Sequence, residues 1–61
     1  MFEIGARVEI KPLFDRFGEE VDDLGRRVAF IVDYLGDDDY RIQMKGTGEV
    51  WDIWVGRLRK Y

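Results

Sequence analysis

The chain has 61 residues, enough for one small domain and no more. It lacks Cys, His, Ser and Asn, which excludes disulfides, thiolate and imidazole metal ligands, Ser/His or Cys/His nucleophiles and N-glycosylation. At 46% hydrophobic and 15% aromatic it is too apolar for disorder, and its net charge of −3 opposes unspecific attraction to phosphate.

The dominant period is two. Ala6, Val8 and Ile10 alternate with Arg7, Glu9 and Lys11, which predicts a half-buried first strand. Residues 12–25 are too long for a tight turn and contain Gly18, so they read as a long irregular loop with at most a helical turn. The competing reading is a short helix, because Leu13, Phe14, Phe17, Val21 and Leu24 space roughly as one helical face. In the next strand Val28, Phe30 and Val32 share one face. Arg27, Ala29, Ile31 and Asp33 share the other, and the strand is expected to be covered on both sides.

Leu35-Gly36-Asp37-Asp38-Asp39 is a turn by composition. Tyr40, Ile42 and Met44 then alternate with Arg41, Gln43 and Lys45, and Gly46-Thr47-Gly48 reads as a tight hairpin. Trp51, Ile53 and Val55 form one face of a fourth strand; Val50, Asp52 and Trp54 form the other. Leu58 to Lys60 could add a fifth. The expected core is Val8, Ile10, Val28, Phe30, Val32, Ile42, Met44, Trp51, Ile53 and Leu58.

No linker, repeat or low-complexity tract divides the chain, so residues 1–61 are expected to form one domain. No apolar run approaches the roughly 20 residues of a membrane helix. The first residues lack the basic stretch and long apolar block of a secretory signal, so a cytoplasmic protein is the expectation. Five short strands, one long first loop and tight later turns suggest an all-β small barrel whose closure removes exposed edges.

The pattern resembles the Src-homology-3-like (SH3-like) barrels of the bacterial SH3-like and KOW type over nearly the whole chain. Gly5-Ala6-Arg7-Val8-Glu9-Ile10 is similar to their "G-x-x-V-x-I" opening, and Gly25-Arg26-Arg27-Val28-Ala29-Phe30-Ile31 to their second strand. Tyr40-Arg41-Ile42-Gln43-Met44, then Gly46 to Trp51 and Leu58-Arg59, resemble the usual ending. The resemblance implies a five-stranded SH3-like barrel, a fold that hosts many functions. Leu13-Phe14-Asp15 and the acidic stretch after it also resemble the peptide-binding SH3 branch. The chain departs from that branch in having no adjacent Trp pair and no Pro motif in its last hairpin.

Four groups are candidates for function. Asp15, Glu19, Glu20, Asp22 and Asp23 put five carboxylates into nine residues of the long loop, with Arg16 the only cation among them. They can steer a basic partner or simply keep the loop solvated. Asp37-Asp38-Asp39 lacks the ligand spacing of a calcium loop and reads as a polar turn. Trp54, with Trp51 inward, points outward as an interaction anchor that Tyr34 and Tyr61 could join, or packs beneath Phe14 or Phe17 of the long loop. Arg26, Arg27, Arg41 and Arg57 are candidates for phosphate contact, as KOW-type relatives often bind RNA or ribosomal proteins. The plainer role of such arginines is cross-strand ion pairing.

The expected function is a non-enzymatic module that binds another protein through Asp15, Glu19, Glu20, Asp22, Asp23, Tyr34 and Trp54. The alternatives are nucleic-acid or ribonucleoprotein binding through Arg26, Arg27, Arg41 and Arg57, and a small phage or accessory inhibitor of a host nucleic-acid enzyme. A self-filled barrel of this size has little room for a substrate cleft. No catalytic residue, cofactor or metal is expected.

Overall fold

A computed structural model describes all 61 residues. It has five strands: β1 (Arg7–Ile10), β2 (Val28–Gly36), β3 (Asp39–Met44), β4 (Val50–Trp54) and β5 (Leu58–Lys60). The only helical element is a 3-10 turn, Val55–Arg57, between β4 and β5. All neighbouring strands are antiparallel, in the order β4-β3-β2-β1-β5. The chain is therefore all-β, with five strands and a long first loop, as its alternation predicts. The sheet is not closed by hydrogen bonds. Its edges remain β4 and β5, contrary to the expected closure.

The long loop contains no helix. Leu13 O accepts from Val21 N at 2.9 Å, Asp15 N donates to Glu19 O at 2.8 Å, and Phe14 bridges Glu20. It is a narrow folded-back ribbon, and the spacing of Leu13, Phe14, Phe17 and Val21 does not produce a buried face. All four are exposed; only Leu24 of that set is buried. The β2–β3 connection tightens to two residues. Asp37 and Asp38 both take left-handed backbone, φ 53° and 64°, between the paired Gly36 and Asp39. Positive φ at both central residues is the turn geometry that matches strand twist, and Asp tolerates it because its short side chain bonds locally.

The core takes Val8 and Ile10 from β1, Ala29 and Ile31 from β2, and Tyr40, Ile42 and Met44 from β3. Ile53, Leu58 and the loop residue Leu24 complete it. Val8, Ile10, Ile42, Met44, Ile53 and Leu58 are buried as expected. β2 faces the other way from the expected assignment: Ala29 and Ile31 point inward, Phe30 is 37% exposed, Val32 is exposed and Val28 is half-buried. Pairing explains this. Ala29 lies between Val8 and Met44, and Ile31 pairs with Ile42, so the inward residues of three strands share one layer. The register then slips by one residue between Ile31 and Asp33, leaving Val32 without a partner and turning Asp33 to Arg41 and Tyr34 to Tyr40. Trp51 does share the inward face through its pairing with Ile42, but on an edge strand it stays 42% exposed.

This arrangement reverses the mutational cost along β2. Ile31→Ala is expected to cost about 2–5 kcal/mol, which spans the whole stability of a domain this small, about 3–5 kcal/mol. Phe30→Ala is expected to remain folded. Urea unfolding followed by far-UV circular dichroism distinguishes them; a Phe30→Ala protein less stable than Ile31→Ala would refute the assigned faces.

Candidate functional site

The candidate surface starts from how few aromatics the core uses. Of two Trp, three Tyr and four Phe, only Tyr40 is buried. Its ring is held by Phe2 at 5.9 Å between centroids and Tyr34 at 5.1 Å, and its hydroxyl accepts from Phe2 N at 3.1 Å. Phe14, Phe17, Phe30, Trp51, Trp54 and Tyr61 all reach solvent.

Trp54 ends β4 and is 59% exposed. Its indole rests on the backbone of Gly56. A methyl group there would collide with the six-membered part of the ring. Glycine at that position is thus what lets the ring lie flat against the 3-10 turn. The long loop does not cover Trp54, and both Phe14 and Phe17 are exposed themselves. Across the ladder Trp54 pairs with Asp39, and Val55 N donates to Asp38 O at 2.8 Å, so the acidic turn abuts the Trp54 end of β4. Asp37, Asp38 and Asp39 form no ion pair within the chain, and no three carboxylates converge to hold a cation.

The other candidates divide. Tyr34 lies against Tyr40 on the β2 side of β3, whereas Trp54 lies on the β4 side, so the two rings flank the start of β3 instead of sharing one patch. Within the acidic loop, Asp15 is structural: its Oδ1 accepts from Phe17 N at 2.8 Å and Glu19 N at 3.0 Å. Glu20 binds Arg26 at 2.7 Å, and Asp22 binds Arg57 at 2.7 Å. Glu19 and Asp23 alone of the five have neither an ion pair nor a side-chain hydrogen bond.

All four candidate phosphate-binding arginines are engaged. Besides Arg26 and Arg57, Arg27 reaches Glu49 at 3.4 Å and Arg41 binds Asp52 across β3 and β4 at 2.9 Å. Arg57 is the most enclosed, its side chain only 12% exposed. It donates to Lys11 O from Nε and Nη2, at 3.3 and 3.0 Å, as well as to Asp22. Lys11 N in turn donates to Arg57 O at 2.6 Å. This clamp joins the start of the long loop to the 3-10 turn on which Trp54 rests.

Sequence reasoning did not single out Gly56, and it read Asp37-Asp38-Asp39 as a polar turn without placing Asp39 beside Trp54. Counting outward from a Gly46-Thr47-Gly48 turn would set Tyr40 opposite Trp54; the loop takes in Lys45 as well, with Met44 N bonded to Glu49 O, and this one-residue difference brings Asp39 opposite Trp54. Gly56 carried no signal before its neighbour's ring position was known. Comparison with known proteins found no matching family model, no matching curated protein and no matching solved structure.

The ion pairs set the acid response. Arg57 holds the Asp22 carboxyl below its ordinary value, helped by Leu24 N–H and opposed by burial. Arg41 does the same to Asp52. Glu49 is lowered first by the Trp51 indole N–H, then by the Thr47 hydroxyl and Arg27. Depressed folded-state values mean that the unfolded chain takes up protons first as pH falls. Their stabilisation is complete above about pH 4–5 and is lost as pH drops through the lowered values. Asp22→Asn is expected to lower stability at neutral pH and flatten the acid limb. Chemical denaturation at stepped pH values checks it; an unchanged acid slope would remove Asp22 from the clamp.

Proposed function

We propose that the chain is an SH3-like barrel acting as a non-enzymatic module that binds another protein, with Trp54 as its anchor and the Asp37-Asp38-Asp39 turn as its electrostatic guide. The SH3-like assignment is supported by the strand order β4-β3-β2-β1-β5, the long β1–β2 loop and the 3-10 turn between β4 and β5. The binding assignment is carried by one observation: a large, mostly exposed indole seated on glycine beside carboxylates that have no cation of their own.

An exposed Trp offers a large apolar area with few rotors to freeze, the property that makes Trp common at interface hot spots. Unpaired carboxylates around it select a basic partner and speed its approach. The long loop contributes Glu19 and Asp23; Asp22 contributes by fixing the 3-10 turn through Arg57. A phosphate-binding reading has less support, because Arg26, Arg27, Arg41 and Arg57 would each have to give up a carboxylate to contact a phosphate.

Trp54→Ala is expected to weaken partner binding by about thirtyfold or more, corresponding to about 2 kcal/mol, with little change in the melting temperature. Gly56→Ala is expected to act in the same direction by lifting the indole from its seat. The measurement is capture of partners from a bacterial lysate by wild type and both variants, with thermal melts alongside. If Trp54→Ala unfolds the domain, or binds the captured partner as well as wild type does, Trp54 is not the anchor.

A further inference from the structure

The edge strand β4 has a property that an anchor residue alone does not require. Met44 N donates to Glu49 O at 2.7 Å at one end of the β3–β4 pair, and Val55 N donates to Asp38 O at 2.8 Å at the other. The register between them is unbroken from Asp39↔Trp54 to Gln43↔Val50. In an antiparallel ladder hydrogen-bonded and open pairs alternate, so Trp51 and Ile53 spend their backbone groups on β3. Val50, Asp52 and Trp54 turn theirs away from the sheet, and the strand order places no neighbour there.

Natural sheets blunt such an edge with Lys, Pro, a bulge or extreme shortness. β4 has the sequence Val-Trp-Asp-Ile-Trp, with no Lys, no Pro and no register shift. Its one charge, Asp52, is drawn sideways onto Arg41 of β3, Nε to Oδ1 2.9 Å. Val50, Trp51 and Trp54 are exposed. The opposite edge is managed differently: β5 is three residues long, carries Arg59 and Lys60, and buries Leu58.

We propose that the β4 edge receives an extended, cationic segment of the partner protein as a sixth strand. Val50, Asp52 and Trp54 supply the backbone ladder, and the two Trp rings flank the added strand. Charge decides the occupant. The chain carries −3, and Asp37, Asp38 and Asp39 stand unpaired at the Trp54 end of the strand. A second copy would bring the same charges, and two-fold pairing centred on β4 would set Asp52 opposite Asp52, an arrangement that like charges disfavour. A strand rich in Lys or Arg meets the same edge with complementary charge. This inference rests on the reading of the Trp54 surface as the docking face and adds how the partner is held.

The test uses the full chain and two capped short peptides, one alternating Val with Lys and one alternating Val with Glu. Binding is followed by amide hydrogen exchange read residue by residue. The Val/Lys peptide is expected to slow exchange at Val50, Asp52 and Trp54 by about tenfold or more, while the already bonded Trp51 and Ile53 change little. The Val/Glu peptide is expected to have no effect. Asp52→Pro removes an outward N–H without touching the β3 ladder, so it is expected to fold and to bind the Val/Lys peptide about tenfold less tightly. Asp52→Thr loses the same carboxylate but keeps the N–H, and is expected to bind the Val/Lys peptide about tenfold more tightly than Asp52→Pro does. Equal binding of both peptides overturns the cationic assignment. Peptide binding without protection of the three amides overturns strand addition. So does failure of the Val/Lys peptide to bind while Trp54→Ala still loses the captured partner, and that outcome leaves the anchor reading standing. Slow exchange of the three amides in the protein alone, deepening with protein concentration, assigns the edge to a second copy and overturns the proposal.

Discussion

The Arg57 clamp is the contact on which the arrangement of this molecule depends. One guanidinium, nearly enclosed, satisfies the Lys11 carbonyl and the Asp22 carboxylate at once. Lys11 leaves β1, Asp22 sits in the long loop and Arg57 closes the 3-10 turn, so three separate segments meet at one planar cation. Arginine suits this because its fork of donors fits a carboxylate in two places while still reaching a carbonyl. Losing one partner would strand the others in a partly enclosed site, which makes the clamp more consequential than the exposed pairs on the sheet. Through Gly56 the clamp also fixes the floor beneath Trp54.

Alternation made much of the fold legible, but it failed where both faces of a strand are apolar. β1 and β3 each place charged or polar residues opposite apolar ones, and their inward faces follow directly. In β2, Phe30 and Val32 compete with Ala29 and Ile31, and side-chain size favours the wrong pair. The choice is made by neighbours: Ala29 fits between Val8 and Met44, and the slip at Val32 changes the parity of the rest of the strand. No local pattern encodes that slip. Trp51 failed for a different reason. Its face was read correctly, but burial also requires a next strand, and strand order is a property of the whole chain.

The candidate surface was legible by residue type more than by arrangement. Trp54 stands out from the alternation of β4, and the acidic turn from its composition. Tyr34 does not join Trp54, because β3 lies between them. The loop carboxylates looked like one group in sequence, yet the structure spends Asp15 on backbone N–H groups, Glu20 on Arg26 and Asp22 on Arg57. The arginines looked like a possible phosphate surface and are neutralised in the same way. Opposite charges far apart in sequence find each other only after the strands have paired.

That delay bears on how the chain assembles. β1 is flanked by β2 and β5, and its pairing with β5 joins Glu9 to Arg59, 50 residues apart. The β2–β3 and β3–β4 hairpins close through short turns and can form from local contacts. β1 must find β5 across nearly the full chain, at a loop-closure cost that only the finished core offsets. A three-stranded β2–β3–β4 meander is therefore the natural early structure, with β1–β5 docking as the late and slow step. Until that step is complete, the inner face of the meander lies open.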